Sequence, residues 1–312
     1  MNSTLVTKIN HIERDIKSIE IQGATNVALA TLEGLRLVAR NFEGKSLDLR
    51  KEVARVGKRL SEARENEPLA RNALKFVLQS LEGEDLKLKE RVLGACDGYE
   101  SMIADGKVGM IQFGTEVLHK EDVILTHCHS SSAVTILKNV AKYKAIKGKS
   151  VKIIATETRP RFQGRKTAKE LLRAGIDVTQ IVDSACASFI VDDRYLPVGA
   201  VIVGCDELLR DGSFINKVGT YSIALAAKKG ADEFYVATTL LKLDPQRDPD
   251  LAEIELRDAS EVWEDAPKGL KIINPAFEQV SSAYVTGYIT EAGVLKKREL
   301  LKEAKKIYPW IF

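Results

Sequence analysis

VILTHCHSSSAVTIL, from Val123 to Leu137, decides the architecture of this chain. A run of β-formers enters it, a helix-patterned segment leaves it, and at the junction a cysteine stands between two histidines. Such a junction sets Cys128 at the carboxyl end of a strand and against the amino terminus of a helix, where backbone N–H groups and the helix dipole favour negative charge. It predicts a reactive centre whose thiol gives up its proton readily. One of the four cysteines and two of the four histidines fall within Thr126–Ser130. Three plainer readings stand beside this one: a small buried hydrophobe, a metal ligand, and polar residues that merely end a strand. The metal reading is the weakest, because alternation along a strand sends His127 and His129 to one face and Cys128 to the other.

Outward from this stretch the same rhythm recurs. β-branched runs at Val123–Thr126, Val151–Thr156, Val178–Val182, Ala200–Gly204 and Phe234–Thr238 are each followed by a helical pattern, which predicts a parallel sheet covered on both faces. In such sheets ligands bind beyond the carboxyl ends of the strands, so Cys128, Glu157, Asp183 and Asp206 are expected to converge on one edge. Upstream, Leu5, Ile9, Ile12, Ile16 and Ile19 form one apolar stripe of a helix that Ser3 can cap. A second helical pattern runs through Leu29, Leu32, Leu35 and Val38, and more follow from about Leu47 to Leu81 and from about Asp85 to Ile103. The expected class is therefore α/β, with a helical amino-terminal domain over 1–112 and a Rossmann-like catalytic domain over 113–312. Gly106, Gly109 and Gly114 mark a joint at 105–116.

Composition narrows the partners. With 47 basic and 44 acidic residues, the +3 balance offers no electrostatic case for nucleic acid or a membrane surface. Cysteines at 96, 128, 186 and 205 form no disulfide framework, no secretory leader is read, and no apolar run is long enough for a bilayer, so a cytoplasmic setting is expected. The apolar tail from Tyr308 to Phe312 is expected to dock on its own or a neighbouring subunit.

Two further stretches carry chemistry. In VIVGCDELLRDGSFINKVGTYSIALAAK, Val201 to Lys228, a buried strand ends at Gly204-Cys205-Asp206, a turn follows at Asp211-Gly212, and Asn216-Lys217 are expected to open a helix. Cys128 and Asp206 facing one cavity would make a base and acid pair, with a helix or turn cap as the plainer alternative for Asp206. Asn216, Lys217, Gly219-Thr220, the helix-opening Ser130, Ser131 and Ser132, and Lys242 suit a phosphate or sugar hydroxyl. In TETRPRFQGRKTAKEL, Thr156 to Leu171, a turn at Pro160 leads into a helix at Gln163-Gly164. A solvated basic loop is the plain alternative there.

THCHS, TETRPxxQGxxTAKEL, GCD and INKxGT, in this order, resemble the superfamily of archaeal ribose-1,5-bisphosphate isomerases, 5-methylthioribose-1-phosphate isomerases and regulatory subunits of initiation factor 2B. The resemblance covers nearly the whole chain and is strongest from Gly114 to Leu295. THCHS is similar to the ribose-bisphosphate branch, and keeping both Cys128 and Asp206 favours an enzyme over the regulatory subunits. The resemblance implies an aldose-ketose isomerase converting ribose 1,5-bisphosphate to ribulose 1,5-bisphosphate in archaeal AMP breakdown, with Cys128 as proton acceptor and Asp206 as proton donor. It implies substrate contacts at Gly23, Ala24, Arg64, Ser130, Gln163, Asn216, Lys217 and Lys242, no metal or cofactor, AMP as a candidate activator, and a dimer-based homo-oligomer such as a hexameric trimer of dimers. In IEIQGATNVA, Gln22 stands where the family carries a phosphate-clamping arginine and Asn26 near a second basic position. The alternatives are a non-catalytic regulatory subunit and an isomerase of another sugar 1-phosphate.

Overall fold

Apolar residues at helical spacing wind the first quarter of the chain into α1 (Ser3–Lys17), α2 (Ala24–Asn41), α3 (Ser46–Ser61) and α4 (Pro68–Gln79), with Pro68 at a first-turn position where its missing N–H costs nothing. The structure is a computed structural model that describes residues 3–64, 66–83, 86–192, 195–230 and 232–312. The expected helix start at Asp85 lies outside the described residues. Helix α2 is apolar on most of its surface, burying Val27, Ala28, Leu32, Leu35, Val38 and Ala39 among the other helices.

One correction concerns the joint expected at 105–116. Helix α5 (Leu88–Leu118) runs through it without a break, and the 112/113 division falls inside this helix. Its 31 residues span about 46 Å and carry the chain from the helical part onto the sheet. The glycines read as breakers permit close packing instead: a Cβ at Gly114 would lie 2.7 Å from Ile136 Cγ2, and one at Gly109 would lie 3.0 Å from the Glu291 carbonyl oxygen.

Beyond α5 the chain alternates β1 (Val123–Thr126), α6 (Ser131–Ile146), β2 (Lys152–Thr156), α7 (Gln163–Arg173), β3 (Asp177–Ile181), α8 (Cys186–Val191) and β4 (Ala200–Val203). It continues through β5 (Glu207–Leu209), β6 (Phe214–Lys217), α9 (Thr220–Gly230), β7 (Glu233–Ala237), β8 (Leu243–Asp244), β9 (Phe277–Val280), β10 (Gly287–Thr290), β11 (Gly293–Leu295) and α10 (Lys297–Ile307). The five strands read from the sequence match β1, β2, β3, β4 and β7 to within a residue at either end. The main sheet has the order β11-β10-β7-β4-β1-β2-β3, parallel except for the β10–β11 edge pair. Alternate strand residues face opposite layers: Leu125, Ile154, Val201 and Val236 join the core shared with the amino-terminal helices, whereas Ile124, Ile153 and Ile202 join the core under α5 and α6. The fold is α/β, with a Rossmann-like sheet preceded by helices. From β1 the chain winds outward through β2 and β3, then returns to place β4 on the other side of β1. This reversal makes the β1–β4 crevice the site where a ligand would enter.

A second sheet, β8-β5-β6-β9, follows β4. It corrects the expectation that Asn216-Lys217 open a helix: they end β6, and α9 begins at Thr220. Gly212, with φ +82°, turns the chain back so that β6 pairs antiparallel with β5 and buries Phe214 and Ile215. The carboxyl-terminal tail docks on its own chain, with the Trp310 ring 5.1 Å from that of Phe76 and 5.9 Å from that of Tyr99.

Buried Asn72 on α4 joins the helical layer to the loop carrying Lys242. Its amide donates to the carbonyls of Leu241 (2.8 Å) and Leu243 (2.9 Å). Replacing it with alanine strands two buried acceptors, so Asn72→Ala should lower unfolding free energy by about 2–3 kcal/mol in denaturant titrations.

Candidate active site

A cavity of about 500 Å³ opens at the carboxyl edge of the sheet, and Cys128, Asp206, Gly23, Ala24, Arg64, Ser130, Gln163, Asn216, Lys217 and Lys242 all line it. Of the four strand-end residues expected to converge, only Cys128 and Asp206 do. Glu157 pairs with Arg165, and Asp183 works from behind the cavity wall.

Cys128 lies two residues past β1 in the left-handed conformation, φ +65°, which a side chain adopts only under constraint. Its N–H donates to Thr158 Oγ1 at 3.0 Å and its carbonyl accepts from Thr167 Oγ1 at 2.7 Å. Thr158 is itself left-handed, held by Asp183, whose carboxylate accepts from the N–H groups of Thr158 (2.7 Å) and Arg159 (2.6 Å). His127 is fully buried, with Nε2 against the Val218 carbonyl (2.9 Å) and Nδ1 against the Thr156 hydroxyl (2.6 Å). A carbonyl can only accept, so the proton sits on Nε2 and Nδ1 accepts from the hydroxyl. Burial pushes this imidazole down to about 4, keeping it neutral. His129 is likewise pushed down, first by burial and then by Lys166, and its Nδ1 lies 3.0 Å from Thr167 Oγ1. Both histidines therefore brace the turn. Among the described residues no group of three His, Cys, Asp or Glu side chains is placed to hold a metal ion.

The expectation of a readily ionised thiol is corrected. Burial pushes Cys128 up to about 11, outweighing the attraction of Lys217 and the His129 backbone N–H. Loss of hydration is the largest influence on this thiol, even at a helix terminus.

Asp206 sits three residues past β4, its N–H bonded to the Ile215 carbonyl at 2.9 Å. Among the described residues its carboxyl group accepts no hydrogen bond, so it caps no turn. Gly204 brings the two reactive segments together: a Cβ there would lie 2.6 Å from that of Ser130, the residue that caps α6. The cations differ in availability. Lys217 Nζ lies 4.4 Å from the centre of the Phe277 ring, and Lys242 Nζ donates to the Cys205 carbonyl. Arg64, expected at a phosphate, is instead held by Glu67 (3.0 Å) and Glu255 (2.9 Å). Asn216 donates to Thr220 Oγ1 at 2.9 Å, whereas Gln163 Oε1 is buried without a partner.

Three helix amino termini reach this cavity, including that of α7 through Phe162 and Gln163. At α2, Gln22, Gly23, Ala24, Thr25 and Asn26 line the wall and no side chain caps the helix; at α6, Ser130, Ser131 and Ser132 do so. Each presents backbone N–H groups and the positive end of a helix dipole. Sequence reading missed Lys107 on α5, Lys166 on α7, and Arg161, Glu67, Arg257 and Phe277, which also line the cavity. Arg161 and Lys166 were visible only as an undifferentiated basic run. Arg257 approaches from the long irregular segment after β8, which carries no periodic signal, and Phe277 from the first position of the short strand β9.

A cavity of this size and charge at the reversal point of a parallel sheet defines an α/β enzyme for a small anionic metabolite. Its lineage is definite: the Initiation factor 2 subunit family matches residues 20–297, and the chain belongs to that family. Ribose 1,5-bisphosphate isomerase of Pyrococcus furiosus is 34% identical, covering 100% of this chain and 98% of its own length. Methylthioribose-1-phosphate isomerase of Heliobacterium modesticaldum is 34% identical over 90% of this chain and 85% of its own. The crystal structure of translation initiation factor eIF-2B of Pyrococcus horikoshii OT3 shares the fold, with a TM-score of 0.79, 23% identity, and coverage of 95% of this chain and 98% of its own. Within the family the chain stands with the isomerases and is an enzyme of that class. No helix among the described residues is long and apolar enough to cross a membrane.

Because alkylation needs the thiolate, iodoacetamide should label Cys128 slowly at pH 7 and about tenfold faster per pH unit up to pH 10. Peptide mass spectrometry across that range checks this, and fast labelling at neutral pH would show an ionised sulfur.

Proposed function

We propose that this chain converts ribose 1,5-bisphosphate to ribulose 1,5-bisphosphate. The supporting observation is a single cavity lined by the amino termini of α2, α6 and α7 and by Lys107, Lys166, Lys217 and Lys242, a surround that suits a sugar carrying more than one phosphate.

In the proposed reaction the Cys128 thiolate removes the C2 proton. The electrons form a C1=C2 double bond as the bond from C1 to the ring oxygen breaks, and the Asp206 carboxylic acid protonates that oxygen. The Cys128 thiol then delivers its proton to C1, while Asp206 takes back a proton from the C2 hydroxyl as the ketone forms. Each group ends as it began, the phosphates stay in place, and these proton transfers require no metal or redox cofactor. Lys217 is the cation that stabilises the thiolate, and Gln163 offers its unpartnered carbonyl oxygen to a sugar hydroxyl. The family resemblance extends the proposal to a dimer-based homo-oligomer in the cytoplasm with AMP as activator.

Purified protein incubated with ribose 1,5-bisphosphate, with and without AMP, should form ribulose 1,5-bisphosphate. Cys128→Ser and Asp206→Asn should each lower kcat by about 10²-fold or more with the fold intact. The reacting form carries a thiolate, so the pH profile of kcat/KM should break near the thiol's midpoint of about 11. Absence of product would overturn the assignment. Gln22, neutral at the cavity wall, favours one second reading, another aldose 1-phosphate; turnover in a panel of such sugars, without turnover of the bisphosphate, would establish it.

A further inference from the structure

Among the described residues three arginines line the cavity, and each is held by a carboxylate. Arg64 is divided between Glu67 and Glu255. Arg161, on the loop between β2 and α7, and Arg257, on the irregular segment after β8, converge instead on a single atom. Glu261 Oε1 accepts from Arg161 Nη1 at 2.9 Å and from Arg257 Nη2 at 2.7 Å, and Glu261 itself lines the cavity. Two guanidiniums that bond the same oxygen lie within reach of one small anion. With no anion between them they would repel, and Glu261 supplies it. Burial raises this carboxyl, but Arg257 and Arg161 outweigh it and hold the group below the usual carboxylate range, so it is ionised.

The surroundings suit a stronger anion than a carboxylate. Arg257 keeps one donor in hand, because its Nε is buried with no hydrogen-bond partner. Arg161 stands just ahead of α7, whose amino terminus no side chain caps and whose Lys166 shares the cavity wall. Glu261 ends a short 3-10 turn at Ala259–Glu261, outside any helix or strand ladder, and its partner Arg161 is 39% exposed, so this ion pair is weak. A phosphate dianion brings three oxygens to the two guanidinium forks where Glu261 brings one. The two segments would stay joined after an exchange, since Arg159 Nη2 donates to the Val262 carbonyl at 2.8 Å, and Glu261 Oε2 already lies 3.4 Å from Asn274 Nδ2.

We propose that Arg161 and Arg257 form a phosphate subsite of this cavity and that Glu261 is its placeholder, a carboxylate that fixes both guanidiniums until a phosphate of the substrate takes its place. The inference rests on the sugar-phosphate reading for the identity of the ligand, but the exchange concerns any phosphate.

Calorimetric titration with inorganic phosphate reads the subsite without turnover. Removing the competing charge in Glu261→Gln should tighten phosphate about tenfold, and Arg257→Gln should weaken it about tenfold. Arg161→Gln, on the loop, should weaken it about threefold with the thermal unfolding midpoint unchanged, which keeps the subsite testable if either other variant fails to fold. Glu261→Gln binding phosphate no better than wild type overturns the placeholder; arginine variants of unchanged affinity, or phosphate binding by none of these proteins, overturn the subsite. In steady-state assays with ribose 1,5-bisphosphate the same substitutions should move KM in the same directions and leave kcat within about twofold. A collapse of kcat in Glu261→Gln at constant KM would place Glu261 in the proton transfers and overturn the proposal. If wild type turns over no bisphosphate while the phosphate affinities follow the stated order, the substrate assignment falls and the subsite stands.

Discussion

The left-handed turn at Cys128 is the constraint on which the site depends. Holding a side-chain residue at φ +65° costs about 1–2 kcal/mol, and the chain meets that cost with a tier of hydrogen bonds reaching across three strands. Thr158 after β2 and Thr167 on α7 grip the Cys128 peptide, while Asp183 after β3 grips Thr158 in turn. His127, wedged between Thr156 and the Val218 carbonyl, ties the same turn to the loop after β6. The reactive sulfur is thus aimed by backbone held from every side, and residues that touch no substrate govern its direction.

Desolvation then sets the chemistry. Burial pushes Cys128 and Glu67 toward their protonated forms and His127 toward its neutral form. Positive potential comes from the lysines and arginines of the lining and from helix termini. An anionic sugar entering this space meets dipoles already oriented, so little reorganisation remains for the reaction.

Much of this was legible in the sequence, for identifiable reasons. The strand-helix alternation appears directly in β-branched runs, and the reversal between β1 and β4 puts Cys128 and Asp206 on one edge. What stayed hidden depends on distance along the chain. That Arg64 would be claimed by Glu255, 191 positions away, leaves no local trace. Nor does the short-stranded second sheet, whose segments of two to four residues fall below any periodic signal. The ionisation of Cys128 was misjudged because helix position can be read from residue types, whereas the extent of burial cannot. The glycines of α5 misled for a related reason: the letter is the same whether glycine ends a helix or lets a neighbour approach.

That uninterrupted α5 has an evolutionary corollary. A protein whose two halves are joined by a flexible tether can trade one half for another; here a single rod packs against α2 at one end and against α6 and β10 at the other, and lends Lys107 to the cavity between. Recombination anywhere along it would sever both layers at once.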